Sequence, residues 1–538
     1  MRESINRGKN IKTSVVYLER IKGIIVSMPL FHRLALLILI TLLTRIVAFL
    51  QTQIISNDGV FYIQIAKLFS EGKYEEISKT YFNLYPLLLF FIQKLIGDWE
   101  LSGKLISLTL GTLTVVPVFL LGRSLNNEKV GWLSALFYII LPNFLKYNSD
   151  VLRDPTSWFF MALTLWLVWD GIQKNRSIFL GLASISGGLG ALTRVEGFVL
   201  WGALAIFTAF RRMPEISLKR RCLNVTFLVL LFPLLFSLVF FSMKKHSSRI
   251  AFGKMASFSI NVIIRNTRAI LQPQNPIDAM DQKVYQSLPF ISKNSLELGS
   301  RHRVVLAISE VIYKFVKSAN LLIILIFLGL WKRKKDGFGT SDWYLLFMFA
   351  ALFVMSVFYT RQTYYFSTRH GLTLVLPSLF FAGHGLDFMA KTFHNGLNRF
   401  TSGWLFVRKY LLHIITIFLI VVFLVQGISF KRTEKFIQKE IGLWLKEKGG
   451  QGSVIMGPKN LLRLAFYADG KFLEIPDSWE KIADSIRQNR VRIVVIDPCT
   501  IDQDCSGFLA NWSQAGLFLL QRPKEKGGKC PIQIYGVY

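Results

Sequence analysis

Cysteine, histidine and acid are all scarce in this chain of 538 residues, which has 4 Cys, 7 His, and 33 Asp and Glu against 64 Lys and Arg. It has no zinc-ligand spacing and no basic domain interleaved with aromatics, so a formal net charge of +31 does not mark a nucleic-acid binder. No internal repeat and no low-complexity tract is present. Three of the cysteines, Cys499, Cys505 and Cys530, fall in the polar C-terminal tail, and only Cys222 lies elsewhere. That clustering points to an oxidising compartment, with Cys499 paired to Cys505 or Cys530; three unpaired thiols are the plain alternative.

Apolar surface, by contrast, is abundant. The chain is 52% hydrophobic with a mean hydropathy of +0.40, more than a soluble protein of this length buries. Its apolar runs of about 17 to 25 residues each suit a helix crossing a hydrocarbon layer of about 30 Å. The expected fold class is therefore an all-α polytopic membrane protein of about 11 transmembrane helices with a small C-terminal α/β extracytoplasmic domain.

The first run, 34–50, follows a basic segment and lacks a small-residue cleavage site, which predicts a retained helix with a cytoplasmic N-terminus. Further spans are expected at 104–121, 131–147, 156–169, 178–192, 197–210, 223–241, 319–331, 343–358, 371–389 and 411–427. Residues 84–96 contain Pro86 and are too short to span, so they read as interfacial or re-entrant.

Basic clusters check this count, because short cytoplasmic loops carry the Lys and Arg. Arg211, Arg212, Lys219, Arg220 and Arg221 form one, Lys332 to Lys335 a second, and Lys391, Arg399, Arg408 and Lys409 a third, all on the N-terminal side. The organisation is then a basic cytoplasmic N-terminus at 1–33, a transmembrane domain with outer loops at 34–430, and an outer α/β domain at 431–538. Within that last domain, 453–457, 491–497 and 532–538 read as strands and 478–489 as a helix. A long outer loop spans 244–318, and its Lys254, Arg265 and Arg268 suit an anionic lipid.

Four polar points stand at outer helix ends. Ser56-Asn57-Asp58-Gly59 puts a carboxylate beside the membrane surface, as a base or as a helix cap. Asn148-Ser149-Asp150-Val151-Leu152-Arg153-Asp154-Pro155 sets two acids around an arginine; if helical, Asp150 and Asp154 share a face, and Arg153 neutralises one or grips a phosphate. Asp154 before Pro155 is equally a helix start. Arg194 and Glu196 form a charged pair at the junction of two spans, functional or simply mutual. Arg361, Tyr364, Tyr365, Arg369 and His370 offer guanidinium and aromatic groups to a sugar phosphate, or an interfacial belt.

Together these supply a general base and cations for a departing phosphate, the needs of sugar transfer from a phosphate-linked donor. Nucleotide sugars are cytoplasmic and every candidate acid lies outside, so a lipid must carry the donor across. A transporter or lipid flippase is the rival, but it would put acids deep inside helices or broken helices in paired halves. An acyltransferase lacks its His-acid motif here.

The arrangement resembles the GT-C superfamily of membrane glycosyltransferases, in the bacterial branch similar to protein O-mannosyltransferases and lipid A aminoarabinose or galacturonic acid transferases. The resemblance covers 34–384 and rests on Asp58 with Tyr62 and Ala66, Tyr85-Pro86-Leu87, Leu141-Pro142 ahead of Asp154, Thr193-Arg194-Val195-Glu196-Gly197, and Arg369-His370 before Pro377. It implies a polyprenyl-phosphate-sugar donor, a lipid, glycan or protein acceptor, inversion, Asp58 as catalytic base and Asp154 as a second acid near the donor. Asp150, Arg153, Arg194, Glu196, Arg361, Tyr364, Tyr365, Arg369 and His370 are then the substrate-binding candidates. No cofactor is demanded: Gly59 stands where several relatives carry the Glu of an Asp-Glu pair, which disfavours a divalent metal. Membrane lipids are the expected surroundings and nucleic acid is not an expected partner.

Overall fold

The computed structural model describes residues 28–73, 76–77, 83–210, 217–246, 302–397, 405–428, 433–476, 479–496, 517–520 and 532–537. Among these, five helices are long and apolar enough to cross a membrane: Leu30–Gln51, Trp99–Leu125, Lys219–Leu238, Thr340–Thr363 and Thr368–Thr392. Two bent pairs meet the same test, Glu128–Ile140 with Pro142–Asn148 at 59° and Arg303–Ala319 with Leu322–Asp336 at 105°. The chain is a multi-pass membrane protein of the all-α kind, with a small sheet at its C-terminal end.

The expected spans fall on helices displaced at their ends by a few residues, except 131–147, which falls on the bent pair Glu128–Ile140 and Pro142–Asn148. The bend at Leu141 has a local cause: a residue before proline is pushed out of the helical region, and Leu141 sits at φ −61° and ψ 118°. At the centre of the bundle lies Asp154–Gln173, fifteen of whose twenty residues are buried. It is apolar on most sides, as a helix surrounded by other helices must be. Trp158 and Trp169 are its largest buried side chains. Peripheral helices differ: Leu30–Gln51 turns Leu39, Leu43 and Leu50 outward, the expected lipid face.

Residues 84–96 form the 13-residue helix Leu84–Ile96, with Pro86 in the first turn, where a missing N–H leaves no intrahelical bond unmade. The reading of 244–318 as a loop needs correction at both ends. Leu218–His246 is still helical at its start, and Arg303–Ala319 is a helix with Val305, Leu306, Ile312 and Tyr313 exposed. Its apolar and polar positions alternate at helical spacing, which signals an amphipathic segment. Residues 247–301, with Lys254, Arg265 and Arg268, lie outside the described residues, as do Cys499, Cys505 and Cys530.

The C-terminal domain holds β1 (Val454–Gly457), β2 (Lys471–Glu474), β3 (Val491–Ile496), β4 (Leu517–Leu519) and β5 (Gln533–Val537) in the order β2-β1-β3-β5-β4. β1 is parallel to β2 and β3, while β5 is antiparallel to β3 and β4. Three strands and the helix Trp479–Asn489 fall where the sequence puts them. The short edge strands β2 and β4 and the helices Thr433–Leu445 and Leu462–Tyr467 do not show in its pattern.

Candidate active site

The segment bearing Asp58 leaves the helix Leu30–Gln51 and enters the helix Asn57–Ser70. Ser56 caps that helix, its hydroxyl accepting from the Gly59 amide at 3.1 Å. Asp58 sits in the first turn and does not cap; its carboxylate pairs with Arg369 instead. Its side chain stays 41% exposed, so a substrate can reach it. Gly59 is there for closeness: a Cβ would meet the Val151 Cβ and carbonyl oxygen, both at 2.9 Å. The helix start thus rests directly on the loop 149–153, and a Glu at 59 has no room.

That loop is not helical before Asp154, so Asp150 and Asp154 do not share a helix face. Asp150 turns inward and accepts from the Ser56 amide at 3.1 Å and the Val151 amide at 2.8 Å, tying the two loops together. The Arg153 guanidinium lies over the Tyr62 ring, 5.9 Å from its centroid. The helix starts at Asp154 with Pro155 in its first turn, but Arg153 is at the cap position, so the reading of Asp154 as a cap does not hold.

Asp154 is fully buried and paired. Its Oδ1 accepts from Arg194 Nη1 at 2.5 Å, and its Oδ2 lies 3.9 Å from Arg369 Nη1. Arg194 occupies the break between Ser177–Thr193 and Val195–Phe210 and holds Glu196 with two donors, at 3.1 and 2.5 Å. Burial works against its charge, but Glu196 and Asp154 outweigh this and hold the guanidinium above its ordinary value. The tight reversal there depends on Gly197, where a Cβ would lie 2.4 Å from the Gly190 carbonyl.

Arg369 is the link between the acids, pairing with Asp58 and approaching Asp154. Next to it His370 is buried; its Nδ1 accepts from the Ser367 amide at 3.2 Å, and the rings of Tyr359 and Phe366 lie 5.4 Å away. Asp58, Asp154, Arg194, Glu196 and Arg369 therefore form one connected cluster drawn from four separate segments. Tyr364 and Tyr365 remain at the surface, 43% and 57% exposed. Among the described residues no ion pair joins Arg361 to the carboxylates, and its Nε is buried without a hydrogen-bond partner.

Each carboxylate is answered by a guanidinium, and among the described residues no group of three or more His, Cys, Asp or Glu could hold an ion. Sequence reasoning missed two parts of the site. Ser56 as cap was visible as a Ser three residues before Gly59. The contacts from the C-terminal domain, by Lys439, Arg463 and Tyr467, carried no local signal at all.

Residues 84–259, a third of the chain, match the model of the dolichyl-phosphate-mannose-protein mannosyltransferase family. No curated protein matches the sequence. Among solved structures, the chain is similar to ArnT from Cupriavidus metallidurans bound to undecaprenyl phosphate. The TM-score is 0.57 at 13% identity, covering 94% of this chain and 98% of that one. The apo state of the same protein gives 0.55 at 12% identity, covering 93% and 97%. Archaeal oligosaccharyltransferase AglB from Archaeoglobus fulgidus gives 0.49 at 11% identity, covering 92% and 74%. The chain shares its fold with ArnT, and with the family match over 84–259 this bears out the resemblance read from the sequence.

Proposed function

We propose that the protein is a glycosyltransferase moving a hexose or pentose, with inversion, from a polyprenyl-phosphate donor to a lipid, glycan or protein acceptor outside the cytoplasm. The observation that carries this reading is the joining of Asp58 and Asp154, from separate outer loops, through Arg369. The family match and the shared fold support sugar transfer from a lipid phosphate; the C. metallidurans neighbour was solved with undecaprenyl phosphate.

In this mechanism the half-exposed Asp58 carboxylate takes the proton of the acceptor hydroxyl. The acceptor oxygen then bonds to the anomeric carbon while the bond from that carbon to the phosphate oxygen breaks, its electrons leaving on the phosphate. Arg369 and Arg153 steady the growing phosphate charge. Asp154, itself locked by Arg194, keeps Arg369 aimed between base and donor. Asp150, Glu196, Arg361, Tyr364, Tyr365 and His370 complete the wall that holds sugar and lipid phosphate. A phosphate diester leaves without a protonated acid, so a second carboxylic acid is not required.

The protein belongs in the plasma membrane, with residues 1–33 cytoplasmic and the domain 431–538 outside, on the face of the site. Basic side chains at the far helix ends support this orientation, and so do contacts from Lys439, Arg463 and Tyr467 to the segment bearing Asp58. The test compares cells with and without the protein. Loss should raise the pool of polyprenyl-phosphate sugar and remove one surface glycan; unchanged pools and glycans would reject the reading.

A further inference from the structure

The stretch from Thr52 to Ser56 is neither helix nor strand, so its backbone groups need partners from elsewhere. Two come from the membrane domain: Lys104 Nζ donates to the Thr52 carbonyl at 2.8 Å, and the Ser56 amide donates to Asp150 at 3.1 Å. Besides local bonds from the Thr52 and Gln53 amides, further partners come from the C-terminal domain, some four hundred residues away in the chain. Lys439 Nζ donates to the Gln53 carbonyl at 2.8 Å, and the Ile55 amide donates to the Tyr467 hydroxyl at 3.2 Å. Arg463 Nε donates to the Asn57 side-chain oxygen at 2.6 Å, while Asn57 Nδ2 donates to the Lys459 carbonyl at 3.4 Å. Asn57 is the residue before the proposed base.

The bonds of Lys439 and Lys459 lie at the surface, but those of Tyr467 and Arg463 do not. Arg463 is 5% exposed and Tyr467 7% exposed. Tyr467 packs in one apolar cluster with Ile54, Ile55, Val60, Tyr62 and Val151, which lie on the segment and helix bearing Asp58 and on the loop before Asp154. Burial, with Glu100 nearby, pushes its phenol above the ordinary value, so the hydroxyl stays neutral. The small domain thus completes the core on which the site stands. Were it only a tethered appendage, its nearest helix would present polar, exposed groups to this segment.

We infer that the C-terminal domain acts as a clamp on the segment 53–57, and that Arg463 and Tyr467 are positioning residues for Asp58. This rests on the glycosyltransferase reading above. A base must stand within hydrogen-bond reach of the acceptor hydroxyl, and displacement of about 1 Å costs on the order of 100-fold in rate. The clamp sets that position without touching substrate.

The test uses the full chain in lipid, as Tyr467→Phe, Arg463→Gln and Arg463→Lys, with Arg492→Gln at an exposed position of β3 as control. Amide hydrogen exchange over residues 53–57 and the kcat and KM for donor are read on the same samples. Tyr467→Phe keeps the ring and its packing, so the domain stays folded. The expected result is faster exchange in that segment and a kcat lowered about 10-fold at unchanged donor KM, with Arg463→Lys partly restored and the control unaffected. Unchanged exchange, or unchanged kcat despite faster exchange, would overturn the clamp. A wild-type protein that transfers no sugar in the same assay would overturn the reading on which it rests, and so is distinguishable from a failure of the clamp alone.

Discussion

The two ends of the helical bundle treat charge in opposite ways. At the far end, acids and bases meet mostly along one helix or across a short turn, and at least the basic partner stays partly in water: Lys391 with Asp387, Lys174 with the buried Asp170, Arg333 with the buried Asp342. Arg33 with Glu128 and Lys129 with Asp387 tie distant segments, but they too remain partly exposed. At the site end, Asp154 and Arg194 are 1% and 4% exposed, and Arg369 reaches Asp58 from more than three hundred residues away. Exposed pairs contribute little, about 0 to 1 kcal/mol, and cost little to form. A buried pair carries a desolvation penalty that packing alone would not incur, so its retention signals something other than stability.

If that contrast is right, substitutions at the two ends should differ in kind. Asp58→Asn should be the most severe for activity and the mildest for the fold. Asn keeps the size, and capping belongs to Ser56, so expression and thermal stability should hold. Transfer should fall by about 10² to 10⁴-fold, the usual contribution of a general base. Activity above about a tenth of wild type would remove Asp58 from that role.

Arg194→Gln should act on the fold first. It strands Asp154 and Glu196 in a buried place, and breaking one partner of a buried pair costs about 3 to 5 kcal/mol. Thermal unfolding in lipid should show the loss, and stability close to wild type would erase the distinction between the ends.

Gly59→Glu sharpens the metal question. The new Cβ meets Val151 at 2.9 Å, so overpacking should cost about 1 to 3 kcal/mol and transfer should drop. Added divalent cation should not restore it. Recovery with metal would mean that the loop can form a carboxylate pair after all.

The sequence shows the bundle well because lipid demands long apolar runs, and run length survives in one dimension. Helix ends, basic loops and the acids at Asp58 and Asp154 were legible for the same reason: all are local. What was not legible is who meets whom. Nothing near Arg369 names Asp58 as its partner, and Asp150 reads as a chemical group although it turns inward to two backbone amides. The docking of Tyr467 and Arg463 on the first loop is hidden more deeply, since neither lies in a motif. Edge strands β2 and β4 are too short for an alternation to show.

Lys391→Gln is the smallest change and the strictest control on the comparison. Lys391 is 71% exposed and stands one helical turn after Asp387, 2.7 Å from its carboxylate. Such a pair in a helix contributes about 0.3 to 0.5 kcal/mol, and Asp387 keeps Lys129 when Lys391 is gone. The variant should therefore match wild type in sugar transfer and differ in thermal stability by no more than about 0.5 kcal/mol. Even that difference should fade in about 1 M salt, where screening falls to roughly 3 Å. Burial, not charge, is what separates the two ends on this account. A loss above about 2 kcal/mol, or one that persists in high salt, would mean that exposed pairs here are as costly to break as buried ones, and the contrast between the ends would no longer mark the site.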